Sequence, residues 1–389
     1  MHRFASIAAI FLATATTAQA CGGSFNRFVT GLKVEAAEMG YSNALLDDFF
    51  AGAEQDQSVL RADRSQSVFQ MDFVTFSRRL ISQNRIDNAG FYSRRYDAVF
   101  DRIERDYGIP RGVLLAFWAF ETDFGQVQGD TNTRDALVTL AHDCRRPELF
   151  RPQIFAAIEL YRRGEFNPYT TTGAWAGEIG QVQMLPADII ENGRDGDGDG
   201  RVDLKGSSPD ALVSGAAMLA HLGWRAGEPW LQEIVVPSNL DWSKTGLDKT
   251  LTVREWERLG VTARSGNLGN GNLEASVLLP VGRDGPAFLA YPNFHVYFEW
   301  NQSMVYVTTA AYFGTRIMGA PVYDAGNPSE GLSGEQIKLL QQRLEARGYD
   351  VGGVDGILGA KTRAAVQSEQ ERLGLPADAW PTRQLLNAL

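Results

Sequence analysis

The sequence has few cysteines, no excess of basic residues and no long apolar run after its first 20 residues, and each shortage excludes a class of protein. Two cysteines in 389 residues allow at most one intrachain disulfide. The 47 acidic residues outnumber the 37 Lys and Arg residues, for a formal net charge of −10, which argues against nucleic acid or an anionic membrane surface as a partner. At 44% hydrophobic and 22% charged, the chain is neither disordered nor fibrous.

Residues 1–20 have the features of an export signal. A short basic start (His2, Arg3) precedes an apolar stretch over residues 7–13, and Ala18-Gln19-Ala20 is a small-x-small cleavage site. The competing interpretation is an uncleaved anchor, but the apolar stretch is far shorter than the roughly 20 residues of a membrane-spanning helix. We therefore expect a periplasmic protein with no integral membrane segment after cleavage.

The two cysteines, Cys21 and Cys144, leave alternatives open. Cys21 follows the predicted cleavage site, so lipidation and an outer-membrane location are possible. Lipoprotein signals usually carry a bulky aliphatic residue three positions before the cysteine, where Ala18 stands, and this favours a protein without a lipid. In the oxidising periplasm, two cysteines form one disulfide most economically. Cys21 is thus lipidated, bonded to Cys144 or free.

The residue pattern divides the chain into helical, β-like and C-terminal parts. Residues 25–108 and 109–222 have mainly helical periodicity. Short β-like runs follow at 234–236, 250–253, 276–281 and 294–298, separated by Pro, Gly and Asn, and predict a small sheet. A polar, glycine-containing linker is predicted at 326–334. These patterns indicate a mainly α fold with a small β-sheet and a small C-terminal unit.

A buried helix that carries one acid is predicted over residues 111–124, after the break at Ile109-Pro110. Residues 113–120 are all apolar, and Glu121 follows them directly. A carboxyl group beside Phe117 and Trp118 is partly desolvated, which raises its pKa and suits it to act as a general acid for glycosidic cleavage. The alternative is a surface Glu that caps or pairs at a helix end.

A loop rich in glycine and glutamine lies about sixty positions after Glu121, over residues 176–186. Its glycines allow the backbone to approach a ligand closely. Gln183 offers both a donor and an acceptor to a sugar hydroxyl or N-acetyl group. The alternative is a plain glycine-rich turn.

An aspartate-glycine repeat over residues 195–203 fits the start of an EF-hand-type calcium loop. Asp195, Asp197 and Asp199 occupy positions 1, 3 and 5, and Arg201 would give its carbonyl at position 7. The usual Glu at position 12 is missing, but Asp210 lies four residues later and can close the shell. Alternating aspartates repel one another without a cation, so we expect structural Ca²⁺ rather than a solvated acidic turn.

Several of these motifs occur in the order typical of the lytic murein transglycosylase B family, which the chain resembles over about residues 31–320. The matching segments are Glu121-Thr122-Asp123-Phe124-Gly125, Asp135 to Leu140, Arg145-Arg146, Ala176-Gly177 through Gln183 to Pro186, and Leu222-Gly223-Trp224. The resemblance implies a goose-lysozyme-like α+β catalytic domain in which Glu121 is the single catalytic acid and base. It also implies a substrate-binding set in which Gln183 contacts the substrate, Arg146 lines the cleft, and Asn301 and Tyr306 lie near the acid. The sequence departs from the family at Ala174 and Trp300, where Ser and Tyr are expected.

The resemblance explains why one carboxyl group is enough. Hydrolytic glycosidases usually need a second carboxylate, and Glu178 is the nearest candidate here. In a transglycosylase, Glu121 protonates the leaving oxygen and then deprotonates the C6 hydroxyl of MurNAc, which closes a 1,6-anhydro ring. No cofactor is needed for this chemistry.

The C-terminal segment resembles a peptidoglycan-binding repeat module of three helices. The matching features are Leu340-Gln341, Leu344, Gly348-Tyr349, Asp355-Gly356 and Thr362 with Ala365-Val366. We therefore predict a signal peptide at 1–20, a catalytic domain at 21–325, a linker at 326–334 and a binding module at 335–389. Tethering by the module would raise the local enzyme concentration on peptidoglycan. A monomer is expected by default.

Three other functions are compatible with parts of this pattern. A lysozyme-like muramidase would use Glu121 with water as the acceptor, and its products would have reducing ends. An inactive scaffold would bind peptidoglycan without cleaving it. The hypothesis of a calcium-dependent adhesin rests on the aspartate loop alone and predicts no cleavage of peptidoglycan.

Overall fold

The computed structural model describes residues 23–64, 70–143 and 145–389. The predicted signal peptide, Cys21 and Cys144 lie outside the described residues. In the described part of the chain, no helix has the length and apolar character needed to cross a bilayer.

Within the described residues, six helices precede the acid helix, in the segment for which the periodicity predicts mainly helical structure. Side chains of Ser42, Asp56, Asp72 and Ser82 accept backbone N–H bonds at the starts of four of them and so satisfy donors that have no partner within the helix. The helices are α1 (Phe25–Glu38), α2 (Asn43–Phe49), α3 (Gln57–Asp63), α4 (Phe73–Leu80), α5 (Gln83–Arg95) and α6 (Asp97–Tyr107).

Seven further helices form the body around the acid. They are α7 (Arg111–Thr122), α8 (Thr133–His142), α9 (Pro147–Arg162), α10 (Pro186–Asn192), α11 (Ser208–His221), α13 (Pro292–Trp300) and α14 (Met304–Ile317). Helix α7 is buried on almost every side, with residues from Val113 to Ala119 at 0% exposure, and it packs along α14. The run of apolar residues in the sequence therefore marks the centre of the largest core.

The small sheet is antiparallel and has five strands in the order β4-β6-β7-β3-β5. Its strands are β3 (Leu231–Val235), β4 (Leu251–Thr252), β5 (Thr262–Ala263), β6 (Glu274–Leu278) and β7 (Ala287–Ala290), with helix α12 (Val253–Arg258) between β4 and β5. In the register, Leu231 pairs with Ala290 and Leu278 with Phe288. A separate two-stranded ladder joins β1 (Thr131–Asn132) to β2 (Thr172–Gly173). The predicted small sheet is confirmed, although β5 and β7 were not predicted.

One predicted strand is wrong, because residues 294–298 lie within helix α13. Pro292 stands in the first helical turn, where its fixed φ and missing N–H are tolerated. Phe294 and Tyr297, three positions apart, are both fully buried on one helix face. The aromatic residues gave the segment a β-like composition, but its burial follows helical spacing.

The C-terminal unit has the three predicted helices, α15 (Gly334–Glu345), α16 (Ala360–Arg372) and α17 (Arg383–Ala388), around a small core of its own. It contacts the sheet region through α16. The Gln367 amide donates to the carbonyls of Trp242 and Thr245 at 3.1 and 2.8 Å. The Arg363 guanidinium donates to the Pro280 carbonyl at 2.6 Å. These buried contacts hold the unit against the catalytic body.

Residues 326–334 connect the two parts and are themselves bonded to both. The Asn327 N–H donates to the Asp284 carbonyl at 2.8 Å, and the Trp380 indole donates to the Ser329 carbonyl at 2.9 Å. The connecting segment is thus bonded to the catalytic body at Asn327 and to the module at Ser329.

Candidate active site

Helix α7 presents Glu121 in its last turn, and an unusual turn follows at once. Asp123, Phe124 and Gly125 all have positive φ, at 51°, 61° and 85°. Left-handed backbone is costly for residues with a side chain and is maintained only when the surroundings fix it. Thr122 fixes this turn, since its hydroxyl donates to the Gln181 carbonyl at 2.5 Å and accepts from the Gly125 N–H at 2.9 Å.

Arg85 of α5 supports the same turn from the other side. Its guanidinium pairs with the Asp123 carboxylate at 3.1 Å and donates to the Leu80 carbonyl at 2.9 Å. It also lies 5.7 Å from the centre of the Phe120 ring. Asp123 is thus a structural acid beside Glu121.

The Glu121 carboxyl group receives two hydrogen bonds on one oxygen, Oε1. The Tyr306 hydroxyl donates to it at 2.5 Å and the Trp300 indole N–H at 3.0 Å. Burial is the largest cause that raises the pKa of Glu121, the two hydrogen bonds oppose it, and the nearby Glu178 adds to it, so that the pKa stands at about 7. Near neutral pH the group therefore exists in both protonation states, as a combined acid and base requires.

Aromatic packing fixes both donors. The Trp300 ring stacks on Phe117 of the acid helix with centroids 4.5 Å apart. The Tyr306 ring meets Phe120 edge-on at 6.0 Å. Burial and the Glu121 carboxyl group hold the pKa of Tyr306 well above its usual value, so its hydroxyl remains a donor.

The glycine-glutamine loop closes on the acid helix. Gly180 has φ +82°, and a Cβ there would lie 2.5 Å from the Leu204 Cβ, so only glycine fits. Gln183 also has a positive φ, 55°, and its amide donates to the Gly180 carbonyl at 2.8 Å. The loop therefore holds Gln183 in one strained conformation, while its role toward substrate stays a prediction.

Glu178 is the second carboxyl group near Glu121. Its side chain accepts hydrogen bonds from its own N–H and that of Ala176, and burial raises its pKa. The other oxygen, Oε2, is buried and finds no hydrogen-bond partner within residues 23–64, 70–143 and 145–389. A buried acceptor of this kind can take a donor from a ligand.

Two of the predicted substrate contacts are tied to other protein groups. Arg146 forms an ion pair with the buried Asp63, and its guanidinium lies over the Phe150 ring. The Asn301 side-chain oxygen accepts from the Ser303 N–H at 2.9 Å. Neither contact reaches Glu121, so both roles stay predictions.

The aspartate-glycine loop gathers carboxylates as its spacing predicts. Asp195, Asp197 and Asp210 present oxygens that all lie within 4.8 Å of one another. Asp210 is 1% exposed and accepts backbone N–H bonds from Gly196, Asp197 and Asp203. The Asp199 carboxylate instead accepts from the Arg201 N–H at 2.8 Å. Carboxylate oxygens are hard donors of the kind that Ca²⁺ prefers, and here two come from the glycine-rich loop and one from α11.

Comparison with known proteins decides the family. The model described as "Transglycosylase SLT domain" matches residues 24–315. The chain belongs to this family. A second model, "Putative peptidoglycan binding domain", matches residues 333–389. The predicted family resemblance is confirmed, and the protein is an enzyme of the lytic transglycosylase class, which acts on peptidoglycan.

Solved relatives cover the whole described architecture. SltB3 from Pseudomonas aeruginosa, in complex with NAG-NAM-pentapeptide, has a TM-score of 0.86 at 33% identity, covering 94% of this chain and 100% of that one. In complex with NAG-anhNAM-pentapeptide, the TM-score is 0.85 at 34% identity, covering 94% and 99%. The predicted lysozyme-like fold with a C-terminal binding domain is thus confirmed.

More distant relatives have the same catalytic fold. Membrane-bound lytic murein transglycosylase B from Escherichia coli (strain K12) is 24% identical over 295 residues, which are 73% of this chain and 80% of that protein. The Escherichia coli lytic transglycosylase Slt35, solved in complex with calcium, has a TM-score of 0.66 at 24% identity, covering 77% of this chain and 95% of that one.

Sequence reasoning missed two residues that build the site of this transglycosylase. Gln181 is buried, and its side chain accepts from the Trp118 indole at 3.1 Å, which joins the loop to the acid helix. Its position two residues before Gln183 was the only signal. Arg85 lies 36 residues before Glu121 on another helix, and nothing in the local sequence indicates their proximity.

Proposed function

We propose that this transglycosylase cleaves the β-1,4 bond between MurNAc and GlcNAc in peptidoglycan and leaves a 1,6-anhydro-MurNAc end. The observation that carries the proposal is the state of Glu121, whose carboxyl group has a pKa of about 7 and is held by two fixed donors. The same group can therefore give up a proton and take one back near neutral pH.

The reaction has two proton transfers and consumes no water. Glu121 gives its proton to the glycosidic oxygen as the bond from that oxygen to C1 of MurNAc breaks. The resulting carboxylate takes the proton from the C6 hydroxyl of the same MurNAc. The C6 oxygen then bonds to C1 and closes the anhydro ring. Glu121 returns to the protonated form, so the carboxyl group is regenerated in each cycle.

Several side chains are proposed to hold the glycan. Gln183 offers its amide from a fixed loop, and Arg146 and Asn301 are proposed contacts on the family pattern. Glu178 offers a buried, unpaired oxygen that can accept from a sugar hydroxyl or an N-acetyl N–H. The relative SltB3 has been solved with NAG-NAM-pentapeptide and with NAG-anhNAM-pentapeptide, which supports substrate and product of these two kinds.

A structural calcium ion is proposed in the aspartate-glycine loop. Asp195, Asp197, Asp199 and Asp210 would supply carboxylate oxygens and Arg201 its carbonyl. The close grouping of three of these carboxylates supports the proposal, because their mutual repulsion falls when a cation binds. The ion would stabilise the loop that precedes α11 and would take no part in the bond cleavage.

We also propose domain boundaries for the chain and a cellular location for the enzyme. We assign residues 1–20 to a signal peptide, 21–325 to the catalytic domain, 326–334 to a connecting segment and 335–389 to a peptidoglycan-binding module. The enzyme would act in the periplasm as a monomer, and a lipid on Cys21 is the alternative to a free protein.

The proposal is tested on isolated peptidoglycan. The purified mature protein, its Glu121→Gln variant and a Glu104→Gln control are incubated with it, and the released muropeptides are analysed by mass spectrometry. Glu104 is an exposed residue of α6, so its variant should retain activity. We expect products with 1,6-anhydro ends from the parent and the control, and none from Glu121→Gln.

The other products have definite meanings. Reducing ends would show a muramidase that uses water, with Glu178 as the first candidate for a second carboxylate. Binding without release by all three proteins would show a scaffold.

A further inference from the structure

The two oxygens of the Glu121 carboxyl group have different surroundings. Oε1 accepts hydrogen bonds from the Tyr306 hydroxyl at 2.5 Å and the Trp300 indole at 3.0 Å. Within the described residues no donor is bonded to Oε2, and Glu121 is only half-buried, so a ligand can reach the carboxyl group. The protein therefore distinguishes the two oxygens before any substrate binds.

Trp300 and Tyr306 come from different helices and have different chemistry. Trp300 is the last residue of α13, and Tyr306 lies in the first turn of α14. An indole N–H can only donate, whereas a phenol can donate or accept. Trp300 therefore always needs an acceptor, and it cannot accept a hydrogen bond from a proton placed on Oε1.

We propose that Trp300 is a positioning residue that, together with Tyr306, keeps the acid proton of Glu121 on Oε2. A carboxyl oxygen with two lone pairs can accept both donors only while it carries no proton. Moving the proton to Oε1 would leave a donor in this site without an acceptor, which disfavours that form by about tenfold to a hundredfold. This inference rests on the proposed function, in which Glu121 is the acid.

The same arrangement serves both halves of the cycle. The proton leaves from Oε2, the oxygen open to the substrate, and Tyr306 and Trp300 stabilise the carboxylate that remains. The proton of the C6 hydroxyl then returns to Oε2, because Oε1 is already occupied by two donors. The proton is thus given and recovered at one atom.

Other groups also act on the protonation of this site and must stay constant in a test. Glu178, from the glycine-glutamine loop, raises the pKa of Glu121. Tyr306 is itself influenced by Arg85 of α5 and Tyr297 of α13. A Trp300→Phe substitution leaves all four in place and removes the indole N–H, while an aromatic ring remains to stack on Phe117.

The first measurement is independent of catalysis. The carboxyl stretch of Glu121 is followed by infrared titration of the full chain, with the Glu121→Gln protein as the subtraction reference. Removing the Trp300 donor destabilises the carboxylate, so Trp300→Phe should raise the pKa of Glu121 by about one pH unit. This result would hold even if the products showed that the proposed reaction is wrong.

The second measurement is the pH dependence of turnover on a soluble glycan. In Trp300→Phe, kcat should fall by about tenfold to a hundredfold with little change in KM, and the alkaline limb should move to higher pH. Tyr306→Phe removes a single oxygen atom and should shift the limb the same way, which keeps the test valid if Trp300→Phe fails to fold.

A matched control is Trp256→Phe in helix α12, beside the sheet. Trp256 is fully buried, and its indole donates to the Ala275 carbonyl at 2.8 Å, away from Glu121. This variant should lose stability with no change in the pH profile. An unchanged titration of Glu121 in both Trp300→Phe and Tyr306→Phe would overturn the proposal. So would a loss of kcat in Trp300→Phe with no movement of the alkaline limb.

Discussion

The side chain of Gln181 accepts a hydrogen bond from the Trp118 indole across 3.1 Å, in the interior of the protein. The same oxygen accepts from the Ser208 hydroxyl at 3.0 Å, and the amide nitrogen donates to the Lys205 carbonyl at 3.2 Å. One side chain thus joins the acid helix, the glycine-glutamine loop and the start of α11, so the position of Glu121 depends on elements that are distant in sequence.

Replacing Gln181 with leucine should destabilise the protein strongly. The substitution leaves the Trp118 and Ser208 donors without their acceptor, at an expected cost of about 2–4 kcal/mol in the free energy of unfolding. Chemical denaturation of the full chain measures it. Gln57→Leu, at an exposed site on α3, is the control and should change stability by less than about 0.5 kcal/mol. Equal stability of the two variants would contradict the role given to Gln181.

Activity should be lost as the pH rises through about 7. Burial raises the pKa of Glu121 to about 7, and the reaction needs the protonated form, so the active fraction is high below this pH and falls above it. The check is kcat/KM on a soluble glycan from about pH 3 to 9, which spans both the ordinary and the raised pKa of a Glu. An alkaline limb near pH 4.5, the ordinary range of an exposed Glu, would show that burial does not control the acid.

Calcium should raise the thermal stability of the enzyme, and chelation should lower it. An ion that binds only the folded protein stabilises it by about 2.7 kcal/mol at a hundred times its Kd, which corresponds to a Tm rise of a few degrees. Scanning calorimetry with EGTA, Ca²⁺ or Mg²⁺ measures the effect. Mg²⁺ should do little, because it demands a smaller octahedral site.

The loop itself can be tested by replacing Asp195 and Asp197 together with asparagine. The double variant should lose the response to Ca²⁺. A response that survives in this variant would place the ion elsewhere.

Breaking the contact between the C-terminal module and the sheet should uncouple their unfolding. Gln367 is 4% exposed, and its amide donates to the carbonyls of Trp242, Thr245 and Ala377. In Gln367→Leu, these carbonyls lose their donor, and we expect a lower Tm for the module and a second calorimetric transition. Ser368→Ala, one position on and exposed, is the control and should unfold like the parent.

The acid helix was predictable because its signal is local. A proline break, eight apolar residues and a single Glu occur within one segment, and the structure places that segment at the centre of the core. The calcium-type loop was predictable for the same reason, because its aspartates and glycines also lie within one segment. Helix α13 was not predictable from composition, because its aromatic residues favour strands as much as buried helices.

The donors to Glu121 could be predicted only in part. Tyr306 was expected near the acid from the family pattern, but Trp300 was recognised only as a departure from it. Glu178 was expected as the nearest candidate for a second carboxylate. Arg85 and Gln181 gave no indication of their contacts, since hydrogen bonds between distant segments depend on tertiary packing rather than on residue spacing.

The docked C-terminal module also sets a geometry for the whole enzyme. A module on a loose tether lets its enzyme cut anywhere within the reach of the tether. Here the Arg363 and Gln367 side chains hold the module against the sheet region, and the Trp380 indole bonds the module to Ser329 of the connecting segment. If the module holds peptidoglycan, the bond presented to Glu121 lies at a constant distance from the point of attachment. The docked module would then set the distance along the glycan between the bound site and the cleaved bond.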